Sequence, residues 1–463
     1  MNLSVSYDKI IGSKNQIRRN IPTMASIART ELFCWRDVDE LGDLERLKLV
    51  LGHLPDERLM RRLEHQRGNG RDDYPIRAVW NSIIAAIVFQ HPTVESLRRE
   101  LQRNAQLREL CGFSALDGIR AVPPAWVYTR FLDRLHRRSI RYRLTGIFED
   151  LVEQCFEILP GFGEQLGGDG KALASFARTT GTIPGDRRGE HDADWGKHEH
   201  RSERSDGTIQ TKIKKWFGFT AHVIADTHYE LPVAFCITRA SRNEKPIMRK
   251  LLRHIARTNP HLLQRAQVFT GDRGYDDRQL VSMLWDTWRI KPVIDICNHW
   301  KDGEATKVVP GTDNVLYDYR GTVSCSCPTT GEERTMAYGG FEADRNTLKY
   351  RCPARHYGIE CQGRDACPIG NAVRIPLSVD RRVFTPVARS SYSWRTLYNN
   401  RTAVERVNSR LDVSFGFEHH TIRGHDKMAI RLTLVFAVML ALAVGRAQTR
   451  QGENLRSLVS IGA

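Results

Sequence analysis

Gln165-Leu-Gly-Gly-Asp-Gly-Lys171 and Val268-Phe-Thr-Gly-Asp-Arg-Gly-Tyr275 decide the fold. In each, a short run leads through glycine to an aspartate, Asp169 or Asp272, so both read as strand ends that present a carboxylate. Lys215–Ala225 and Leu231–Ile237 have strand character, with Asp226–Glu230 as the turn between them. Glu244–Thr258 is amphipathic at helical spacing, and Gln267–Thr270 is a short buried strand just ahead of Asp272. Strand, hairpin, helix and strand in that order make an α/β or α+β core. A third acid, Glu405, ends Tyr398-Asn-Asn-Arg-Thr-Ala-Val-Glu405, which reads as a helix face.

Three carboxylates on separate elements suit phosphodiester chemistry. Two cations about 3.5–4 Å apart can activate a nucleophile and stabilise the leaving oxygen, and Mg²⁺ prefers a few carboxylates while keeping several waters. Packed together without metal, the acids would raise one another's pKa. At about 100° per residue, Tyr398, Arg401, Glu405 and Asp412 fall on one helix face, with Val404, Val407 and Leu411 opposite. Arg401 on that face could hold a phosphate bidentately. Each acid also has a plain reading when taken singly. A glycine-flanked Asp is often a turn, and Arg401–Glu405 is a common i,i+4 surface pair.

The bulk numbers agree with a nucleic-acid partner. The chain has 463 residues, with 70 Lys+Arg against 54 Asp+Glu, a formal charge of +16. Such an excess favours a polyanion over a merely soluble basic protein. The N-terminus shows no signal-peptide apolar region. The most apolar run, Leu432–Val444, falls short of the about 20 residues needed to span a bilayer, so it reads as a buried helix. No Walker-type glycine loop appears, so no nucleotide cofactor is expected.

Working outward, residues 1–30 form a basic arm. From Glu31 to Pro160 the spacing is helical, with Val79, Ile83, Ile84, Ile87 and Val88 on one face and Thr93 as a capping residue. Arg178–Lys214 reads as a long polar loop. Within it, His191, Asp192, Asp194, His198 and His200 are more plausible as a solvated stretch than as a metal site. Trp300–Tyr392 reads as irregular, and helical spacing resumes from Tyr398 to Val444.

Taken in order, these motifs resemble the DDE-type insertion-sequence transposases of the group with a Tyr-Arg-Glu-Lys signature. Gly271-Asp-Arg-Gly-Tyr275 is similar to that family's second-aspartate motif, and Tyr398-x2-Arg401-x3-Glu405 to its signature around the third acid. Phe415-Gly-Phe417, Arg423-Gly424, His91-Pro-Thr-Val-Glu-Ser-Leu97, Cys111-Gly-Phe113 and Val122-Pro-Pro124 extend the likeness. One departure stands out. The signature lysine is replaced by Asp412, so the phosphate contact expected there is either missing or supplied by Arg406, Arg410 or Lys427.

The resemblance implies an α/β fold: an RNase H-like mixed-sheet catalytic core with an N-terminal helical domain and an inserted Cys-containing subdomain. The expected divisions are a basic arm at 1–30, a helical DNA-binding domain at 31–160, the first part of the core at 161–295, the insertion at 296–392 and a C-terminal helical part of the core at 393–450. Asp169, Asp272 and Glu405 would hold Mg²⁺, with Mn²⁺ as a substitute. Tyr398, Arg401, Arg406 and Arg410 would contact DNA. The implied activity is cleavage at the ends of an insertion sequence and transfer of the freed 3′-hydroxyl to target DNA. The implied partners are double-stranded DNA and a second copy of the chain, with no membrane, in the bacterial cytoplasm at the nucleoid. The rivals are an inactive or domesticated DNA-binding descendant and a simple metal-dependent nuclease.

Cysteines add one further expectation. The chain has 10, without a secretion signal, which suits a reducing compartment. Cys325, Cys327, Cys352, Cys361 and Cys367 cluster in the presumed insertion, with His356 nearby, and four such ligands can hold a structural zinc. Reduced thiols in a loop-rich segment are the plainer reading. Zinc would organise a region without apolar periodicity. Cys297 and His299 form a weaker metal candidate. Trp300 and Trp394 could stack an unpaired base, though core or surface roles are commoner. His222 reads as structural.

Overall fold

The computed structural model describes residues 43–68, 73–179, 189–203, 209–449 and 455. The basic arm at 1–30 lies outside them, as do the side chains of 200–203 and 209. The chain forms two compact units, residues 1–158 with 412–421 and 426–463, and residues 159–411 with 422–425.

The first unit is helical. Helices α1 (Asp43–His53), α2 (Glu57–Arg67), α3 (Ile76–Val88), α4 (Val94–Arg103), α5 (Ala105–Cys111), α6 (Ala125–Leu135) and α7 (Arg138–Ile158) follow the apolar spacing of the sequence. α3 is buried almost throughout, including Trp80 and Ile84. Thr93 caps α4 as expected, its hydroxyl accepting from the Ser96 backbone N–H in a reciprocal capping box. Asp56 is buried but satisfied by Arg77 and by the Trp80 indole N–H.

The second unit carries a six-stranded mixed sheet. Its strands are β1 (Gln165–Ala174), β2 (Asp194–Glu203), β3 (Ile209–Asp226), β4 (Leu231–Arg239), β5 (Val268–Gly271) and β6 (Lys291–Ile294). β3 pairs antiparallel with β1 and with β4, whereas β5 runs parallel to both β1 and β6. The hairpin β3–β4 and helix α8 (Glu244–Thr258) fall where the sequence puts them. Two short helices follow, α9 (Pro260–Arg265) and α10 (Arg278–Ser282).

The expected loop at 178–214 is only partly a loop. Asp194–Glu203 is β2, paired with the first half of β3 out to Glu203↔Ile209. Because β1 joins β3 only from Gly218 onward, this stretch is a two-stranded ribbon. Its polar strands conceal the period-2 pattern, and Lys197, Lys212, Lys214 and Lys215 are exposed. Trp195 packs on Phe217 across the ribbon, their ring centroids 5.6 Å apart.

The 296–392 stretch is also more ordered than its sequence suggests. Strands β7 (Thr306–Val308), β8 (Val315–Asp318), β9 (Val323–Ser326) and β10 (Glu333–Thr335) make one sheet in the order β10-β9-β8-β7. Strands β11 (Ala337–Glu342), β12 (Thr347–Arg351) and β13 (Ala372–Pro376) make another, with α11 (Pro353–Tyr357) after β12. Val315, Tyr317, Leu348, Tyr350, Ile375 and Phe384 share a buried core. The expectation that this region lacks an apolar organisation is therefore corrected. Strands this short are too brief to display periodicity.

The helical C-terminal part is divided. Helices α12 (Tyr392–Asn399) and α13 (Thr402–Val413) are separated by a turn at Asn400–Arg401, so Tyr398 and Glu405 are not on one continuous helix. Asn400 turns its side-chain amide to Gln165 Oε1 on β1, at 2.8 Å. The last helix, α14 (His425–Gln448), belongs with the helical unit from Asp426 onward rather than with the sheet, contrary to the 393–450 division. There Phe436 packs near Phe148 of α7, and Gly445 sits so close to Leu49 of α1 that a Cβ would lie 2.5 Å from Leu49 Cγ. α14 is long and apolar enough to cross a membrane by composition, but 89% of its most apolar window is buried, as in a core helix.

Candidate active site

Asp169, Asp272 and Glu405 converge in the second unit, each placed by a different element. Asp169 lies mid-strand on β1, and Asp272 follows directly on β5. Since β1 and β5 are parallel and in register at Gly168↔Gly271, the two aspartates follow neighbouring positions on adjacent strands. Asp272 turns its Oδ1 to the Gly274 N–H at 2.9 Å, which caps the 3-10 turn Arg273–Tyr275. Asp169 accepts a hydrogen bond at Oδ2 from Asn408 Nδ2 of α13, at 2.9 Å. Glu405 lies in the first turn of α13, exposed, with Arg401 Nη1 2.6 Å from its Oε1.

Glycine lets the helices approach. A Cβ on Gly167 would lie 2.5 Å from Val404 Cγ2 of α13 and 2.9 Å from Thr227 Cγ2. One on Gly168 would meet Met248 Cε of α8 and Phe269 Cζ, each at 2.7 Å. The Gly-Gly before Asp169 thus seats a helix on either side of β1.

A fourth acid joins the three. Glu244, the first residue of α8, is partly buried beside Asp169 and Asp272. Burial, then the charges of Asp272 and Asp169, push its carboxyl up to about 7. Asp169 is likewise pushed up to about 6, by burial first and then by Asp272, with Glu405 adding to the rise. A hydrogen bond from Gly170 and the charge of Arg401 act in the opposite sense. Tyr275 is fully buried at the same place, and its hydroxyl has no hydrogen-bond partner among the described residues. Its pKa is raised well above normal, by burial first and then by Glu244, Asp169 and Asp272.

The donor type suits a hard divalent cation, although no three of these acids bring ligand atoms within 4.8 Å of one another. The set offers several carboxylate oxygens, and their mutual repulsion would be relieved by positive charge. Sequence reasoning missed Glu244, Tyr275 and Asn408. An acid at the start of a helix is so common that Glu244 carries no signal of its own.

The expected DNA contacts fare differently. Arg401 lies over the Tyr398 ring, 5.6 Å from its centroid, and Tyr398 stacks on Trp394 with ring centroids 4.6 Å apart. Trp394 is thereby committed to a neighbour and not open to a base. Arg406 Nε and Arg410 Nη2 both turn to Glu230, at 2.7 and 2.5 Å. Arg410 and Glu230 are buried, which removes Arg410 as a phosphate contact. Trp300 packs edge-on to Tyr317 under Lys307. His222 is buried and hydrogen-bonds Thr238, and desolvation lowers its pKa to about 4, so it is structural.

The five clustered cysteines are brought near one another. Burial, then Cys352, Cys367 and Cys361, push the Cys325 thiol up to about 11. Cys327 is drawn down to about 6 by the Thr330 hydroxyl and by backbone N–H groups, and its side chain hydrogen-bonds Cys361. The described cysteines are all free thiols. Among the described residues, the group of three ligand atoms lying within 4.8 Å of one another is Asp276, Cys297 and His299, not these five. That group has a cation already, because Arg382 donates Nε and Nη2 to the two oxygens of buried Asp276.

The site is thus a gathering of acids from β1, the end of β5, α8 and α13 beside a mixed sheet. Residues 179–441 match the family model described as "Transposase DDE domain". The chain belongs to that family of transposases. The matched span includes Asp272 and Glu405 and begins after Asp169. A piggyBac transposase, solved by cryo-EM as a synaptic complex with hairpin DNA, is similar over 92% of this chain and 87% of that one. Its identity is 12% and its TM-score 0.30, a likeness too weak to place any residue. No curated protein sequence matches the chain.

Proposed function

We propose that this transposase cuts DNA at the ends of an insertion sequence and joins the freed 3′-hydroxyl to target DNA, using Asp169, Asp272 and Glu405. The observation that carries the reading is the convergence of these three acids, from β1, the end of β5 and α13, upon one side of the sheet. The strand order β4-β3-β1-β5-β6, with β3 antiparallel and β5 and β6 parallel to β1, supports an RNase H-like core. Mg²⁺, or Mn²⁺ in its place, is the cation such oxygens would hold, supplying charge to the reacting phosphate.

The chain's own residues do the positioning. Asn408 orients Asp169, the turn at Gly274 orients Asp272, and Tyr398 steadies Arg401. Glu405 would help to hold the cation, and Arg401, which pairs with Glu405 at 2.6 Å, could then donate to a phosphate oxygen. The helical unit binds the element's ends, mostly through phosphates, and a homodimer holds two ends together in the bacterial cytoplasm. Four of Cys325, Cys327, Cys352, Cys361 and Cys367 would hold a structural zinc only by drawing together, since no three of their sulfurs lie within 4.8 Å of one another.

The test uses supercoiled plasmid carrying the DNA that flanks the gene, with Mg²⁺ or EDTA, and products mapped at nucleotide resolution. Cuts confined to the element's ends are expected, reduced by at least about a thousandfold in Glu405→Gln and lost in EDTA. Scattered cuts would replace the reading with a simple nuclease. End binding without cuts in any divalent metal would replace it with a DNA-binding descendant.

A further inference from the structure

We propose that Glu244 is a fourth metal-holding carboxylate of the centre, completing the cation site on the side of Asp169 and Asp272. The inference rests on the reading of those two aspartates given above.

Its first support is the spacing of glycines. Gly170 follows Asp169, and Gly274 lies two residues after Asp272. Neither has the left-handed backbone that requires glycine. What both lack is room. A Cβ on Gly170 would lie 2.7 Å from Glu244 Oε1. A Cβ on Gly274 would lie 3.0 Å from Asp272 Oδ1 and 3.3 Å from Glu244 Oε2. The two motif glycines are therefore the walls of a seat for the Glu244 carboxylate, between the two aspartate-bearing segments.

Its second support is the absence of any protein group to satisfy that carboxylate. Glu244 stands at the first position of α8, where an acid often captures a backbone N–H. Here Asn243 takes that role, its Oδ1 accepting from Lys245 N. Among the described residues no hydrogen bond or ion pair reaches the Glu244 carboxylate, although it is partly buried next to two more acids. Two acids of this unit that are buried more deeply than Glu244, Glu230 and Asp276, each have arginine partners.

The third support is independent of the acids. The Tyr275 hydroxyl, wholly buried and unpartnered, would lie 3.5 Å from the same Gly170 Cβ position. A buried hydroxyl without a partner is costly. A hydrated cation held by Glu244 and the aspartates would bring it an oxygen to bond.

The decisive measurement is Mn²⁺ binding to the full chain at pH 8 without DNA, read by electron paramagnetic resonance. Wild type is compared with Asp272→Asn, Glu244→Gln and Gly170→Ala, each checked by thermal melt. The alanine variant keeps the charge but displaces the end of a flexible side chain, so it separates a moved ligand from a lost charge. All three are expected to weaken Mn²⁺ by at least about tenfold. If Asp272→Asn weakens it while Glu244→Gln and Gly170→Ala bind as wild type, the role of Glu244 is overturned and the three-acid reading stands. If Asp272→Asn also binds as wild type, the three-acid reading falls and this inference with it. Should Glu244→Gln fail to fold, Gly170→Ala decides alone, by the same tenfold criterion.

Discussion

Two groups of acids lie in the same unit and meet opposite fates. Glu230 is buried at the end of the β3–β4 turn and is closed upon by Arg406 and Arg410. Asp276, only four residues beyond Asp272, is closed upon by Arg382 and receives the Cys297 N–H. Asp169, Asp272, Glu244 and Glu405 instead crowd one another, with Arg401 as their near cation and Arg401 already paired with Glu405. Where charge is balanced internally the acid serves the fold. Where it is left in excess, the proposed centre would need something positive that the chain does not encode.

The contrast can be broken from its balanced side first. Glu230→Ala takes from the buried Arg410 guanidinium its carboxylate partner, a defect that typically costs about 3–5 kcal/mol. We expect a denaturant midpoint lowered accordingly, while Mn²⁺ affinity of the folded fraction stays at the wild-type value. Replacing both partners, as Glu230→Leu with Arg410→Met, should recover much of the loss, since well-packed apolar pairs often substitute for buried ion pairs. A double variant no better than the single one would mean that Glu230 and Arg410 are not a closed pair.

The unbalanced side should behave in the reverse sense. Folding raises the Asp169 pKa to about 6 from an ordinary 3.8. Above pH 6 the group is charged in both folded and unfolded chains and carries its full penalty, of order 3 kcal/mol at most. As pH falls through 6 the folded chain takes up the proton and the penalty fades, vanishing only below the ordinary value of 3.8. In EDTA, Asp169→Asn should therefore melt above wild type at pH 8, with the gap closing as pH falls towards 4. Saturating Mg²⁺ at pH 8 should close it too. A gap that does not change with pH would show that the acids do not strain the metal-free fold.

The smallest effect is expected at the cysteines. Because the 296–392 region packs in an apolar core that also takes in Trp285, stripping zinc should lower the protein's melting temperature by only a few degrees, about 1 kcal/mol, and should not unfold it. Elemental analysis of the purified protein, before and after chelation, checks the premise. A chain purified without zinc would leave the cluster as reduced thiols.

Much of the active centre was legible from residues because its logic is local. Asp272 follows the end of β5, as its glycine-flanked run suggests, whereas Asp169 lies mid-strand on β1 and not at the strand end expected, and Glu405 lies in a motif with fixed internal spacing. The strands β3 and β4 and helix α8 are long enough for periodicity to show. Glu244 was not legible, since its importance comes from Gly170 and Gly274, which are distant in sequence. Arg410 looked free because nothing local announces Glu230 as its partner. The module at 296–392 hid its core in strands of three to six residues. The grouping of α14 with the helical unit depends on tertiary packing that no window of sequence contains.

The seat of α13 on β1 bears on the natural history of such a chain. With a Cβ at position 167 only 2.5 Å from Val404, alanine there would push the helix bearing Glu405 away from the strand bearing Asp169. Glycine and alanine codons differ by a single base. A copy of this gene could therefore fall silent by one substitution while every acid it needs is still spelled out. Anyone sorting living copies from fossils in a genome should read the glycines before the acids.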